Sequence, residues 1–80
     1  MRMTMELALG REIKKAREVL QQSQEALAFE AGIHRTYVSL IERGKKSPPL
    51  TVIVRLATAL GIKPSELLRR VEVEFERVSS

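Results

Sequence analysis

Residues 23–44 read SQEALAFEAGIHRTYVSLIERG, and the spacing within them decides the fold. The stretch predicts two short helices joined by a glycine turn and closed by a second glycine. Ser23 is a good N-cap, because its hydroxyl can accept from a backbone N–H that lacks a helical partner. Glu25 falls in the first turn, where a carboxylate meets the positive end of the helix dipole. The reciprocal capping box is absent, since Ala26 rather than Glu or Gln stands three residues on. Leu27, Ala28 and Ala31 form one apolar face, and small Ala28 lets a second helix cross closely. Gly32 supplies the positive φ that ends a helix in a left-handed residue, with Ile33 expected as a buried pin after it. The second helix, from about Arg35 to Glu42, carries Val38 and Ile41 at i, i+3, with Gly44 as its stop.

This is the order of a helix-turn-helix, whose second helix lies in the major groove of DNA. Gln24, Ala28, Gly32, Ile33, Val38 and Ile41, followed by Glu42, Gly44 and Pro48, resemble the phage-repressor (lambda repressor/Cro, XRE-type) helix-turn-helix family. The phrase HRTYVSLIERG, residues 34–44, is similar to a narrower subset, the controller proteins of restriction–modification systems. The resemblance spans about Leu9 to Arg70 and implies an all-α, compact five-helix DNA-binding domain. It also implies a buried ion pair between Arg17 and Glu42 that ties the first helix to the end of the recognition helix. A phosphate contact is the second reading of Arg17.

Bulk properties agree. At 80 residues, 44% hydrophobic and 30% charged, the chain suits one small domain with a modest core. The expected core is about residues 7–70, with a C-terminal tail at 71–80. The absence of cysteine excludes a disulfide framework, a thiolate metal site and a cysteine nucleophile, and fits a reducing cytoplasm. A single histidine argues against a zinc site. Met1 to Gly10 is too short and mixed for a signal peptide. The most apolar run, Val52 to Ile62, is interrupted by Arg55 and far short of a membrane span. No nucleophile–base pair, metal cluster or glycine-rich phosphate loop is present, so neither catalysis, nor a cofactor, nor a small-molecule ligand is expected.

The net charge of +4 favours an anionic partner. Its distribution is informative: Arg35, Arg43, Lys45 and Lys46 face Glu42 alone in residues 34–46, whereas Glu72, Glu74 and Glu76 gather near the C-terminus without a base between them. One Tyr and two Phe are too few for a platform that stacks single-stranded bases. Double-stranded DNA is the better partner.

Along the chain, helix 1 is expected from about Leu7 to Leu20, with Leu9, Ile13, Ala16 and Leu20 as its stripe. Arg11, Lys14, Lys15 and Glu18 fall on the solvated face. The KKSPP loop, residues 45–49, ends the recognition element, and its prolines pre-set helix 4 at about Leu50 to Leu60. Ile53, Leu56, Ala57 and Leu60 are the core stripe of that helix, with Gly61 as its stop. Ser65 is expected to cap a fifth helix opening with Glu66. Beyond it the pattern divides. Val71, Val73 and Phe75 alternate with glutamates at the period of a half-buried strand, while Leu68, Val71, Phe75 and Val78 fit a helix. The expectation is a helix ending near Arg70–Val73 with an extended tail. Its apolar strip either packs on its own core or makes a dimer contact.

The residues near the start of the second helix that point away from Val38 and Ile41 are His34, Arg35, Thr36 and Ser39. That end of a recognition helix reaches base edges. Arg35 can give two hydrogen bonds to guanine O6 and N7, worth about 1–3 kcal/mol of discrimination. Thr36 can meet a thymine methyl or a phosphate, and Ser39 is a further candidate base reader. Gln24, Tyr37, Arg43, Lys45, Lys46 and Ser47 are candidates for the DNA backbone. Of these, Gln24 can instead brace the recognition helix, and the Tyr37 ring can pack on the domain. His34 stands where the family usually has Ser or Asp, which predicts a weak cap. Together these features predict a homodimeric, sequence-specific transcription regulator on inverted-repeat operators. A controller protein would, by resemblance, act on its own gene and on an endonuclease gene. A phage-type repressor, an antitoxin subunit and a protein-interaction module that has lost DNA are the alternatives.

Overall fold

Thr4 accepts from the Leu7 N–H through its hydroxyl at 3.1 Å and starts the first helix of the computed structural model, which describes residues 2–79. The described residues form α1 (Met5–Val19), α2 (Gln24–Ala31), α3 (Arg35–Glu42), α4 (Leu50–Ala59) and α5 (Pro64–Ser79), with no strand among them. α1 lies against both α3 and α5, α2 against α3 and α4, and α4 against α5. Every helix sends a side chain to the same interior: Ile13, Leu27, Val38, Ile41, Leu56 and Leu67 are fully buried there. Each such side chain contributes about 1.5–3 kcal/mol relative to exposure. None of the described helices is long and apolar enough to cross a membrane.

Local chemistry sets the angle between α2 and α3. Ser23 Oγ accepts from the Ala26 N–H at 3.0 Å and caps α2. At the other end Gly32 sits at φ 71°, and the Ile33 N–H donates to Ala28 O at 3.0 Å. The Gly32 N–H donates to Phe29 O, which completes a Schellman stop. Ile33 is half-buried against the core rather than fully enclosed, because it sits at the rim of the turn.

α1 reaches α3 by backbone contact. A Cβ on Gly10 would lie 2.7 Å from Glu42 O and closer still to Ile41 O, so only glycine allows this crossing. A mid-helix glycine costs about 1 kcal/mol of helix propensity relative to alanine, and here the cost is offset by the packing it permits.

Five expectations need correction. α1 opens at Met5 rather than Leu7, because Thr4 supplies a cap that the apolar stripe did not reveal. The helix ends at Val19, and Gln21 turns the chain at φ 54°, which leaves Leu20 half-exposed instead of in the core. α5 starts with Pro64 in its first turn, where the missing N–H is no loss, so Ser65 lies inside the helix and is not its cap. Finally, there is no extended tail: α5 is one helix through Ser79. The helical form directs Val71, Phe75 and Val78 onto the core and turns Val73 outward, 49% exposed. It also buries Glu74, which takes hydrogen bonds from Arg11 at 3.3 Å and Arg77 at 2.9 Å. Arg11 therefore belongs to the clasp between α1 and α5 rather than to a solvated face, while Lys14, Lys15 and Glu18 are exposed.

Candidate nucleic-acid interface

The inner side of α3 is fixed by Val38 and Ile41, both fully buried, so its outer side is determined by helical geometry. Arg35 and Thr36 are exposed at the start of that side, and Ser39 is half-buried midway along it. His34 caps the helix through Nδ1, which accepts from the Thr36 N–H at 3.1 Å. The imidazole thus does the work usually given to Ser or Asp, and the expected weak cap is not observed. Tyr37 packs its ring against the core at half-burial.

After α3 the chain is basic and exposed. Arg43 folds back along its own helix, its Nε donating to Ser39 O at 3.4 Å. Lys45, Lys46 and Ser47 follow on the exposed loop that leads to α4, and buried Pro48 anchors the loop's far side. Arg35, Arg43, Lys45 and Lys46 therefore run from the start of α3 into the loop after it, a positive strip suited to duplex phosphates.

Beneath this strip lies a chain of polar contacts. Arg17 donates through Nε to Glu42 Oε2 at 2.7 Å and through Nη2 to Glu42 Oε1 at 3.0 Å. This two-pronged geometry is the strong form of an arginine–carboxylate pair. Both partners are largely shielded, with side-chain exposure of 12% for Arg17 and 3% for Glu42. Hydrogen bonding to Glu42 holds the Arg17 guanidinium above its ordinary pKa, against the opposing effect of burial. Arg17 Nη1 also donates to Gln22 O at 2.7 Å, a carbonyl delivered by the left-handed turn at Gln21. From Glu42 the chain continues outward: Gln24 Nε2 donates to Glu42 Oε1 at 3.1 Å, and Arg35 Nη1 donates to Gln24 Oε1 at 3.1 Å.

The structure thus brings Arg17, Glu42, Gln24 and Arg35 into one network, and sets Thr36, Ser39, Tyr37, Arg43, Lys45, Lys46 and Ser47 along α3 and its loop. Sequence reasoning did not anticipate the Gln22 carbonyl or the backbone contact at Gly10. A backbone carbonyl leaves no trace in the residue type, whereas a glycine inside a helical pattern is a recognised sign of close packing. Among the described residues no cluster of His, Cys, Asp or Glu could hold a metal ion.

Comparison with known proteins agrees with this geometry. A family model described as helix-turn-helix matches residues 13–67. Control protein C.BamHI of Bacillus amyloliquefaciens is 43% identical over 63 residues, covering 78% of each chain. The crystal structure of the restriction-modification controller protein C.AhdI from Aeromonas hydrophila superposes with a TM-score of 0.76 at 42% identity, over 78% of this chain and 94% of that one. The controller protein C.Esp1396I, solved as a tetramer with its natural 35 base-pair operator, shares the fold at 23% identity, with a TM-score of 0.83 over 91% of this chain and 96% of that one. The chain belongs to the helix-turn-helix family, among the relatives of the restriction–modification control proteins.

Proposed function

We propose that this chain is a sequence-specific regulator of transcription that binds double-stranded DNA as a homodimer on inverted-repeat operators, as the controller protein of a restriction–modification system. The observation that carries this reading is the exposed outer side of α3, which presents Arg35 and Thr36 and continues into Arg43, Lys45 and Lys46. In this reading Arg35 is the principal base reader, with Thr36 and Ser39 beside it. Tyr37 and Ser47 join the basic residues on the phosphates. The kinship with C.BamHI and C.AhdI supports the controller role, which would place its own gene and an endonuclease gene under its control. The protein would act in the cytoplasm and without catalysis. Selection from a pool of random duplexes, followed by sequencing, tests the reading. The expected result is an inverted repeat whose halves lie about 34 Å apart, or a multiple of that. A recovered pool with no enriched sequence overturns it.

A further inference from the structure

We infer that His34 makes base discrimination sensitive to a single proton: the neutral imidazole orders the first turn of α3, and the imidazolium releases it. The inference rests on the proposed role of α3 in reading DNA. It starts from one hydrogen bond. The Thr36 N–H can only donate, so His34 Nδ1, at 3.1 Å, is the bare nitrogen of a neutral ring. The hydrogen of that ring then sits on Nε2. The usual caps, Ser, Thr, Asn and Asp, keep their acceptor at any pH near neutrality. Histidine does not, because the imidazolium carries hydrogen on both nitrogens. Protonation would turn an N–H toward the Thr36 N–H and set a cation at the positive end of the α3 dipole.

The surroundings do not offset this. α3 packs against α1 and α2. On α1, Arg11, Lys15 and Arg17 are held by Glu74, Glu12 and Glu42, Lys14 and Glu18 are exposed, and Glu6 lies near the far end. On α2, Glu25 and Glu30 are exposed. None of these carboxylates forms an ion pair with His34, and the residue next to it in the chain is a cation, Arg35. The loosening is local. His34 O accepts from the Tyr37 N–H at 3.0 Å and the Val38 N–H at 3.2 Å, and those bonds do not involve the ring. What the ring orders is the front of the turn, where Arg35 and Thr36 stand exposed. Arg43, Lys45 and Lys46 lie beyond the other end of α3 and are untouched. Base discrimination therefore falls with protonation, while the sequence-independent attraction of phosphates holds or gains from the added cation. His34 is the one histidine in a chain without cysteine, so the range from about pH 5 to 8 isolates it among the side chains.

The test uses the whole protein, the duplex recovered by random-pool selection, the same duplex altered at the base pair most sensitive to Arg35→Ala, and a random duplex. Binding is measured at about pH 8 and about pH 5.5 for the native protein, His34→Asn and His34→Ala. The native ratio of selected to altered binding should fall about two- to tenfold on acidification, the size of an N-cap interaction. Random-duplex affinity should hold or rise. His34→Asn, a good cap with no proton to gain, should keep its ratio across the range. His34→Ala, with no cap, should start low and stay low. Without DNA, the native Thr36 amide should lose exchange protection as the ring titrates, with the helical circular dichroism otherwise unchanged. A constant native ratio overturns the inference, and so does the same fall in His34→Asn. Equal weakening on all three duplexes overturns it as well. A ratio that rises on acidification makes the imidazolium a DNA ligand and likewise overturns it. If His34→Ala does not fold, the comparison of native protein with His34→Asn still decides. A native protein that selects no duplex removes the DNA-binding reading itself, whereas the Thr36 amide still shows whether the cap opens.

Discussion

Glu42 is only 3% exposed at its side chain, yet it serves two neighbours, neutralising Arg17 and accepting from Gln24. Its value to the fold is best seen by removing the cation. Arg17→Ala leaves a shielded carboxylate with one amide for company, a loss of about 3–5 kcal/mol for a buried pair broken from one side. Arg17→Lys keeps the charge but gives up the planar fork and the reach to Gln22 O, so it should fall between the two. Urea unfolding of the three proteins checks the order. If Arg17→Ala unfolds at the native midpoint, the pair is not a source of stability. A second prediction at this scale concerns the loop. Lys46→Ala should leave unfolding within about 0.5 kcal/mol of native, as for an exposed residue without partners in the core. On the proposed function it should also reduce the salt slope of DNA binding by about one per half-site. An unchanged slope removes Lys46 from the phosphate contacts.

At the scale of elements, α1 depends on a residue that helix propensity disfavours. Gly10→Ala would gain about 1 kcal/mol in an exposed helix, but here its methyl meets the carbonyls of Ile41 and Glu42. The outcome is destabilisation, because backbone on both sides must part and the Arg17–Glu42 register moves with it. Thermal unfolding decides: a raised midpoint would show that α1 does not touch α3 as described. α5 depends on charge. Hydrogen bonds from Arg69 and then Arg70 lower the Glu66 pKa from 4.5 to about 2, and Arg77 followed by Arg11 holds Glu74 below its ordinary value against the effect of burial. Depressed carboxylate pKa values mean stability that is full above about pH 4.5 and is lost as pH falls toward 2. Glu66→Gln removes that contribution, so its melting temperature should lie slightly below native at pH 7, converge with native as pH falls toward 2, and depend less on pH between those limits. These two helices also show what was legible from sequence. The α2–α3 unit could be read because its caps, its glycine stop and its apolar spacing all lie within one short stretch. The true course of α5 could not, since Val71, Val73 and Phe75 satisfy a period of two as well as a helix. What decides between them is Glu74 meeting Arg11, 63 residues away in the chain. The candidate site divides the same way. Arg35 and Thr36 follow from their place on α3, whereas the hold of Gln24 on Glu42 depends on how two helices meet in space.

For the molecule as a whole, the proposed homodimer raises the question of which surface would bring two copies together. The apolar strip of the C-terminal region is spent internally, since Val71 is buried and Phe75 and Val78 pack on the core. What remains exposed nearby is Leu68, at 43%, with Met5 at 51% and Leu50 at 65%. Met5 and Leu68 border a shallow cleft that is also lined by Leu9, Pro48, Ile53 and Val71, and Leu50 lies one helical turn before Ile53. These apolar residues come from the start of α1, the loop before α4, the start of α4 and the first half of α5, with Glu6 and Ser47 also at the cleft. Through Ser47 the cleft borders the end of the basic loop, but no residue of α3 lines it. Exposed apolar groups that gather at one place are candidates for an interaction surface. A charge placed within it would be buried without a partner in the dimer and solvated in the monomer. Leu50→Asp combined with Leu68→Asp should therefore shift sedimentation to the monomer mass, while the helical circular dichroism stays native because both side chains are already exposed in the fold. Binding to a selected inverted repeat should weaken far more than binding to an isolated half-site, since the second half-site loses the effective concentration that dimerisation provides. A dimer that survives both charges would move the interface elsewhere on the molecule, to the exposed Val19 and Leu20 at the far end of α1 or to Phe29 on α2.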